Sequence, residues 1–230
     1  MTAPAALAAL PREVRDLALR LGATEGHGPS TVRLDQHGTM RSAPGARPMA
    51  FKAHQTIAIE TIGFNWRARC GPFGALSVAD TLRKDRGGVR VRLMGMIPVA
   101  TSIDNPAVIK GETMRYLAEL PLAPDAILRN SHLTWNIIDE HSFAVSARGS
   151  AGVSKVILRL SPDGLVASIE ANDRPRIEGD VTVERPWHGR FSAYRRFGGR
   201  MVPTLGEVSW ILPSGPFRTW EGEITAWALN

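Results

Sequence analysis

The sequence predicts a mainly β (α+β) fold, in which a large curved antiparallel sheet or half-barrel of roughly 10–11 strands wraps around short helices. Three observations lead to this class. Bulky residues fall on every second position through most of the chain after residue 30, two segments instead show helical spacing, and Gly, Pro or Asp separates successive runs. An open sheet of this size curls, so something must cover its concave face. The helical segments are the candidates, and any space that they leave becomes a pocket.

The first helical segment is residues 11–21. Val14, Leu17 and Leu21 recur at helical spacing, and Gly22 is a stop signal. The second segment is "GETMRYLAELPL", which is followed by a short helical turn in "DAILRN". Proline residues end the second helix, because proline cannot continue the backbone hydrogen bonding.

Alternating runs predict the strands. In the first half they are "STVRLDQHGTMRS", "MAFKAHQTIAIE", "FNWRARC" and "GALSVADTLRKD". A turn at "RGG", with Gly87 and Gly88 in turn conformations, is expected to lead into "VRVRLMGMIPVATS". In the second half they are "LTWNIID", "SFAVSARG", "VSKVILRLSP", "GLVASIEAND", "VTVER", "FSAYRRF", "GEVSWILP" and "FRTWEGEITAWAL".

Length and composition fit one domain over residues 1–230. The chain is 43% hydrophobic and 22% charged, and mainly β domains often reach this length. Cys70 is the single cysteine, so no internal disulfide is expected, which fits a reducing compartment. The Ala-rich N-terminal run lacks the features of a secretory leader, and no stretch has the roughly 20 apolar residues of a membrane span. We expect a cytoplasmic location and no integral membrane segment.

The formal charge of +6 and the pI near 10.2 raise the question of nucleic-acid binding. The basic residues are dispersed along the chain, and they form no tract. In the densest basic and aromatic segment, "HGRFSAYRRFGGR", Arg195 and Arg196 are adjacent and would point to opposite faces of a strand. We therefore expect no nucleic-acid partner, and the sequence does not indicate an oligomeric state.

Several ordered segments carry a resemblance to a known family. These include "LPREVRDL", "FKAHQ", "FNWRAR", "GETMRYLAEL", "LTWNIID", "PWHGRFSAY" and "GEVSWILPSGPFRTW", and they span nearly the whole chain. In this order they resemble an uncharacterised bacterial domain-of-unknown-function family. The resemblance implies a half-barrel similar to the LolA lipoprotein carriers, and it implies no particular activity.

The sequence contains none of the common motifs for phosphate, dinucleotide or nucleophilic-serine chemistry. In "RGSAG", Arg148 stands where a nucleophile elbow would have its first Gly, so this segment is interpreted as a hairpin turn. The six His residues show neither HxH nor HxxxH spacing. We predict no cofactor and no metal.

Asp80 is the main candidate for chemistry. Alternation places it on the apolar face shared by Val78 and Leu82, where an isolated charge would be costly. Arg115 is the expected counter-charge, and Glu119 lies four residues after Arg115 on the same helix. A structural Asp80 and Arg115 pair and a general base at Asp80 both remain open. The candidates for proton transfer are Asp80, Glu119, Tyr194 and His54.

Aromatic residues predict the character of the ligand. Trp66, Trp135 and Trp210 would line the interior of the sheet, with Tyr194 and Tyr116 as polar-tipped neighbours. Gln55 falls on an apolar strand face, where its amide would bond a helix cap or a ligand. The residues predicted to contact a ligand are Gln55, Phe64, Trp66, Arg115, Tyr116, Trp135 and Trp210.

Two functions from different classes follow. In the first, the half-barrel binds a hydrophobic or aromatic small molecule between sheet and helices without chemistry. In the second, a pocket carboxylate, Tyr or His transfers a proton on such a molecule, as a cofactor-independent lyase, isomerase or cyclase would do. A shielded carboxylate that faces an open pocket favours the enzyme, whereas one that is sealed against Arg115 favours the binding protein.

Overall fold

The computed structural model of the chain describes residues 10–230, so the start of the Ala-rich N-terminal run lies outside the described residues. Three α-helices are present in the described part: α1 (Arg12–Arg20), α2 (Pro106–Ala118) and α3 (Pro124–Arg129). Single turns of 3-10 helix occupy Pro72–Gly74 and Leu120–Leu122. Across residues 10–230, no helix has both the length and the apolar character that a membrane crossing requires.

The strands form one continuous antiparallel sheet. They are β1 (Thr31–Met40), β2 (Met49–Ala58), β3 (Gly63–Cys70), β4 (Leu76–Arg83), β5 (Arg86–Leu93), β6 (Ile97–Ile103), β7 (Leu133–Asp139), β8 (Ser142–Gly149), β9 (Gly152–Leu160), β10 (Val166–Glu178), β11 (Val181–Phe197), β12 (Arg200–Leu212) and β13 (Gly215–Leu229). Their order in the sheet is β6-β5-β4-β3-β2-β1-β13-β12-β11-β10-β9-β8-β7. The predicted mainly β half-barrel is confirmed.

The chain runs outward, crosses the concave face and returns. It proceeds from β1 at the centre to β6 at one edge, and then α2 and α3 carry it to β7 at the opposite edge. From β7 each strand pairs with the next until β13 closes against β1. Helix α2 contacts strands of both halves, including β4 and β5 on one side and β9 and β10 on the other. The curled sheet therefore wraps α2 as its covering layer.

Helix α1 closes one end of the core. Its residues Val14, Leu17 and Ala18 are buried, and the helix packs against α3. The predicted helix over residues 11–21 is thus confirmed to within a residue. The second helix begins earlier than expected, at Pro106, because Asn105 caps it by accepting a hydrogen bond from the Val108 N–H at 2.9 Å.

Two details of the strands differ from the prediction. The sheet has thirteen strands against the predicted 10–11, and the boundaries differ: "VRVRLMGMIPVATS" divides into β5 and β6 at Met94 and Gly95, both of which have positive φ, whereas "VTVER" and "FSAYRRF" lie in the single strand β11. The predicted "RGG" turn is wrong: Lys84 and Asp85 make the turn with φ values of 50° and 57°, and both glycines lie inside β5. A Cβ on Gly88 would lie 2.1 Å from the carbonyl oxygen of Ser102, so close strand approach requires this glycine.

Candidate functional site

A cavity of about 490 Å³ lies between the concave face of the sheet and α2. Four tryptophans from both halves of the sheet, Trp66, Trp187, Trp210 and Trp220, contribute to its wall. The other apolar lining residues include Met40, Met49, Val78, Val89, Ile169, Phe191, Leu205, Val208 and Ile224. The polar and charged lining residues are Gln36, Arg41, Ser42, Arg47, Asp80, Arg115, Glu119, Arg174, Glu207 and Thr219.

One row across the sheet brings polar side chains to the inner face. In the strand register Gln55 pairs with Trp66, and Trp66 pairs with Asp80, so the three side chains point to the same face. The indole N–H of Trp66 donates to Oε1 of Gln36 at 3.1 Å, and Nε2 of Gln36 donates to Oε1 of Gln55 at 2.7 Å. These bonds fix the orientations of both buried amides.

Helix α2 presents a charged stripe to this row. Glu112, Arg115 and Glu119 are three and four residues apart, which places them on one face of a helix. Nε of Arg115 donates to Oε1 of Glu119 at 2.8 Å, and Nη1 donates to Oδ2 of Asp80. Nε2 of Gln55 donates to Oε2 of Glu119. A single hydrogen-bonded network therefore joins helix to sheet.

The environment of Arg115 keeps it charged. Its side chain is 19% exposed, and those of Asp80 and Glu119 are 10% and 16% exposed. Burial alone would lower the pKa of the guanidinium, but the carboxylates of Glu119 and Asp80 outweigh burial and raise it. The guanidinium also lies 4.7 Å from the ring centroid of Phe64 and 5.3 Å from that of Trp66.

Glu112 and Asp80 form a pair of neighbouring carboxyl groups. Glu112 is 7% exposed, and its pKa is raised well above the usual range, first by burial and then by the negative charge of Asp80. Oε2 of Glu112 and Oδ1 of Asp80 are both buried without a hydrogen-bond partner among the described residues. A proton on Glu112 lets it donate to the Asp80 carboxylate, which satisfies buried oxygens without a second negative charge.

The second half of the sheet supplies a stacked aromatic and cationic row. Register aligns Trp187, Trp210 and Phe217 across β11, β12 and β13. The guanidinium of Arg174 lies 4.2 Å from the ring centroid of Trp187 and 5.4 Å from that of Trp210. Arg176 lies 5.2 Å from the Trp210 centroid and 5.7 Å from that of Phe217.

Five of the predicted site residues line the cavity: Asp80, Glu119, Arg115, Trp66 and Trp210. Two more lie directly behind them. Gln55 is buried in the network and does not reach the cavity wall, and Phe64 is covered by the Arg115 guanidinium.

The other four predicted residues lie outside the cavity lining. The hydroxyl of Tyr116 donates to the carbonyl of Ala58 at 3.0 Å, and that of Tyr194 donates to the carbonyl of Val166 at 2.7 Å. Burial raises the pKa of both tyrosines. The side chain of His54 is 83% exposed and bonds to Asp35, and Trp135 is half-buried on edge strand β7. Both hydroxyls are thus occupied in structural contacts.

The sequence interpretation missed Glu112, Arg174, Trp187 and Trp220. Glu112 could have been found from its spacing to Arg115 and Glu119 on one helix face. Arg174 could not have been found from strand alternation, because the register of β10 shifts between Ala171 and Arg174. This bulge reverses the alternation, so that Arg174 faces inward where simple alternation would place Asp173. No group of three or more His, Cys, Asp or Glu suited to a metal ion occurs within residues 10–230.

Comparisons with known proteins agree with this architecture. The model of a family of unknown function, DUF6544, matches residues 1–222. A LolA superfamily protein from Nitrosomonas europaea aligns with a TM-score of 0.51 and 11% sequence identity, covering 97% of this chain and 94% of that one. A domain from Vibrio parahaemolyticus, described as a candidate outer membrane lipoprotein-sorting protein, aligns with a TM-score of 0.51 and 8% identity, covering 95% and 91%.

The comparison with curated proteins gives no match. The resemblance that the sequence suggested is confirmed, both for the family and for the LolA-like half-barrel. At identities of 11% and 8%, the two solved structures bear on the fold alone.

Proposed function

The chain belongs to the family of unknown function DUF6544, and we propose that it binds a hydrophobic or aromatic small molecule inside its half-barrel. The observation that carries this proposal is the cavity of about 490 Å³ with four tryptophans in its wall. Small-molecule sites usually have volumes of roughly 300–1,000 Å³ and combine apolar walls with a few placed polar groups. The network of Asp80, Arg115 and Glu119 supplies those polar groups at the helix side.

The bonding of Asp80 favours binding over chemistry. Its Oδ2 accepts from Arg115, and Arg115 is held in turn by Glu119 and stacked over Phe64. A carboxylate fixed in this way locks α2 to the sheet and shapes the polar end of the cavity. In this proposal the protein acts in a reducing compartment such as the cytoplasm, in keeping with its single free, buried Cys70.

The decisive experiment is native mass spectrometry of the protein purified from its own host. We expect an added mass that organic solvent extracts, and whose occupancy falls in Val208→Trp, because Val208 lines the cavity and a larger side chain fills it. Val181→Trp is the matched control, since Val181 is 59% exposed and does not line the cavity. A ligand-free protein that also binds no hydrophobic probe would refute the proposal.

A second candidate function, cofactor-independent proton transfer, has one observation in its favour. Asp80 lines the cavity with its Oδ1 unpartnered among the described residues, and Glu112 beside it has a raised pKa. Asp80→Asn keeps the shape and removes the charge. With the extracted molecule as substrate, a base at Asp80 predicts a loss of turnover of roughly 10²–10⁴-fold with ligand affinity retained within about tenfold. Absence of turnover in the wild-type protein would exclude this function for that molecule.

A further inference from the structure

We propose that the ligand carries a carboxylate and that Arg174 binds it. This inference rests on the proposed function of the cavity and narrows the class of ligand to hydrophobic or aromatic carboxylic acids. Arg174 lines the cavity, and the bulge in β10 turns its side chain toward the interior.

The charge of Arg174 has no partner within the described part of the chain. Arg115 is bonded to two carboxylates, and Arg176 lies 3.3 Å from the Glu178 carboxylate, whereas Arg174 makes no ion pair there. Burial lowers the pKa of Arg174 by more than the surrounding carboxyl groups, Glu112 first, raise it. An anion from outside the chain would offset the cost of burying the positive charge of Arg174.

Two neighbouring hydrogen-bond donors point to the same missing group. Nε of Arg176, outside the cavity lining, is buried without a hydrogen-bond acceptor within residues 10–230, and so are Nε of Arg174 and the indole Nε1 of Trp187. The side chains of Arg174 and Trp187 both line the cavity, and the Arg174 guanidinium lies 4.2 Å from the Trp187 ring centroid. Buried donors in folded proteins nearly always have acceptors, so a ligand oxygen at this place would complete the arrangement.

The chemistry of the guanidinium and its surroundings favours a carboxylate. The contacts with the rings of Trp187 and Trp210 restrain the planar guanidinium, and a guanidinium can bind a carboxylate in bidentate geometry. Arg174 offsets one negative charge, and the carboxyl groups around it, Glu112 first and then Asp80 and Glu119, oppose a second. The site therefore suits a monoanion better than a phosphate dianion.

The test compares acids with their neutral amides of nearly equal shape. Binding of dodecanoate and dodecanamide, and of 2-naphthoate and 2-naphthamide, would be measured by calorimetry at pH 7.5. A charge-assisted hydrogen bond predicts that each acid binds roughly 10–100-fold more tightly than its amide. In Arg174→Gln this preference should fall to within about threefold, while amide affinity changes little.

Arg176→Gln is the matched control, because Arg176 follows on the same strand, stacks on the same Trp210 and does not line the cavity. It should keep the preference for acids. Equal wild-type affinity for acid and amide, or an unchanged preference in Arg174→Gln, would overturn the inference and leave the proposed function standing. Failure of all four probes to bind would overturn the inference, and together with a ligand-free purified protein it would overturn the proposed function as well. Where Arg174→Gln does not fold, equal wild-type affinities for acid and amide would still overturn the inference.

Discussion

Replacement of Arg115 by methionine is the most direct test of the network between α2 and the sheet. The methionine keeps much of the aliphatic stem and removes the charge that holds Asp80 and Glu119. Those carboxylates are only 10% and 16% exposed, so they would be left as poorly solvated anions without their cation. Breaking a buried pair in this way typically costs about 3–5 kcal/mol.

The expected loss is large enough for a thermal melt to resolve. For a chain of this size, 1 kcal/mol corresponds to about 2–4 °C in melting temperature, so Arg115→Met should lower it by on the order of 10 °C. Arg218→Met is the control, because Arg218 bridges Glu207 and Glu221 with its side chain 49% exposed. Exposed pairs of this kind contribute at most about 1 kcal/mol, so the control should lose no more than a few degrees.

A rescue experiment separates unpaired charge from lost packing. Adding Asp80→Asn and Glu119→Gln to Arg115→Met removes both stranded carboxylates while conserving their shapes. If desolvated charge causes the loss, the triple variant should recover most of the stability of the single variant. A triple variant no more stable than Arg115→Met would show that the stacking of Arg115 on Phe64 and Trp66, and not its charge, was the source of the loss.

Three further predictions concern single positions. Because the folded state raises the pKa of Glu112, the stability from its proton is complete below the unfolded value, about 4.5, and is lost as pH rises through the raised pKa. In denaturant titrations, the free energy of unfolding of Glu112→Gln should therefore rise relative to that of the wild type between pH 5 and pH 8, by up to about 1.4 kcal/mol per pH unit. A difference that does not change with pH would contradict the raised pKa of Glu112. Asp80→Asn should fold, since Glu119 still neutralises Arg115, with a loss of about 1–3 kcal/mol in the same titration; failure to fold would show that Asp80 is the indispensable half of the pair. Gly38→Ala should lower the melting temperature sharply, because its Cβ would lie 2.0 Å from the Glu221 carbonyl oxygen. The control Gly206→Ala, whose Cβ would have its nearest contact at 3.4 Å, should be nearly neutral. Equal losses of melting temperature in the two variants would contradict this reasoning.

Strand alternation predicted the polar row well for a simple physical reason. Gln55, Trp66 and Asp80 lie on regular strands in continuous register, so a period of two places each side chain on the inner face. The partnership of Asp80 with Arg115 followed from the cost of burying a charge, and the structure brings the two side chains together.

Alternation failed where the backbone departs from regular geometry. The bulge between Ala171 and Arg174 reverses the face of every later residue in β10, and Pro175 directly after it is a local sign of irregular pairing. In β11, Ala193 has a φ of 52°, and beyond it the Tyr194 hydroxyl turns to the Val166 carbonyl. The register of a bulge depends on pairing between distant strands, so Pro175 indicates irregular pairing but does not show which later residues face inward.

The charged side chains around the cavity also bear on how a ligand would be recognised. An apolar helix face would cover the sheet at least as well as a charged one, since replacing buried ion pairs by packed hydrophobic residues is often neutral or stabilising. Helix α2 nevertheless places Glu112, Arg115 and Glu119 against the cavity side of the sheet. Asp80 and Glu119 bind Arg115, and Arg174, on the opposite half, has no ion-pair partner in residues 10–230. A carboxylic acid that enters between the tryptophans would have the anionic Asp80 on one side and the cationic Arg174 on the other. This difference in charge would orient the acid as well as bind it.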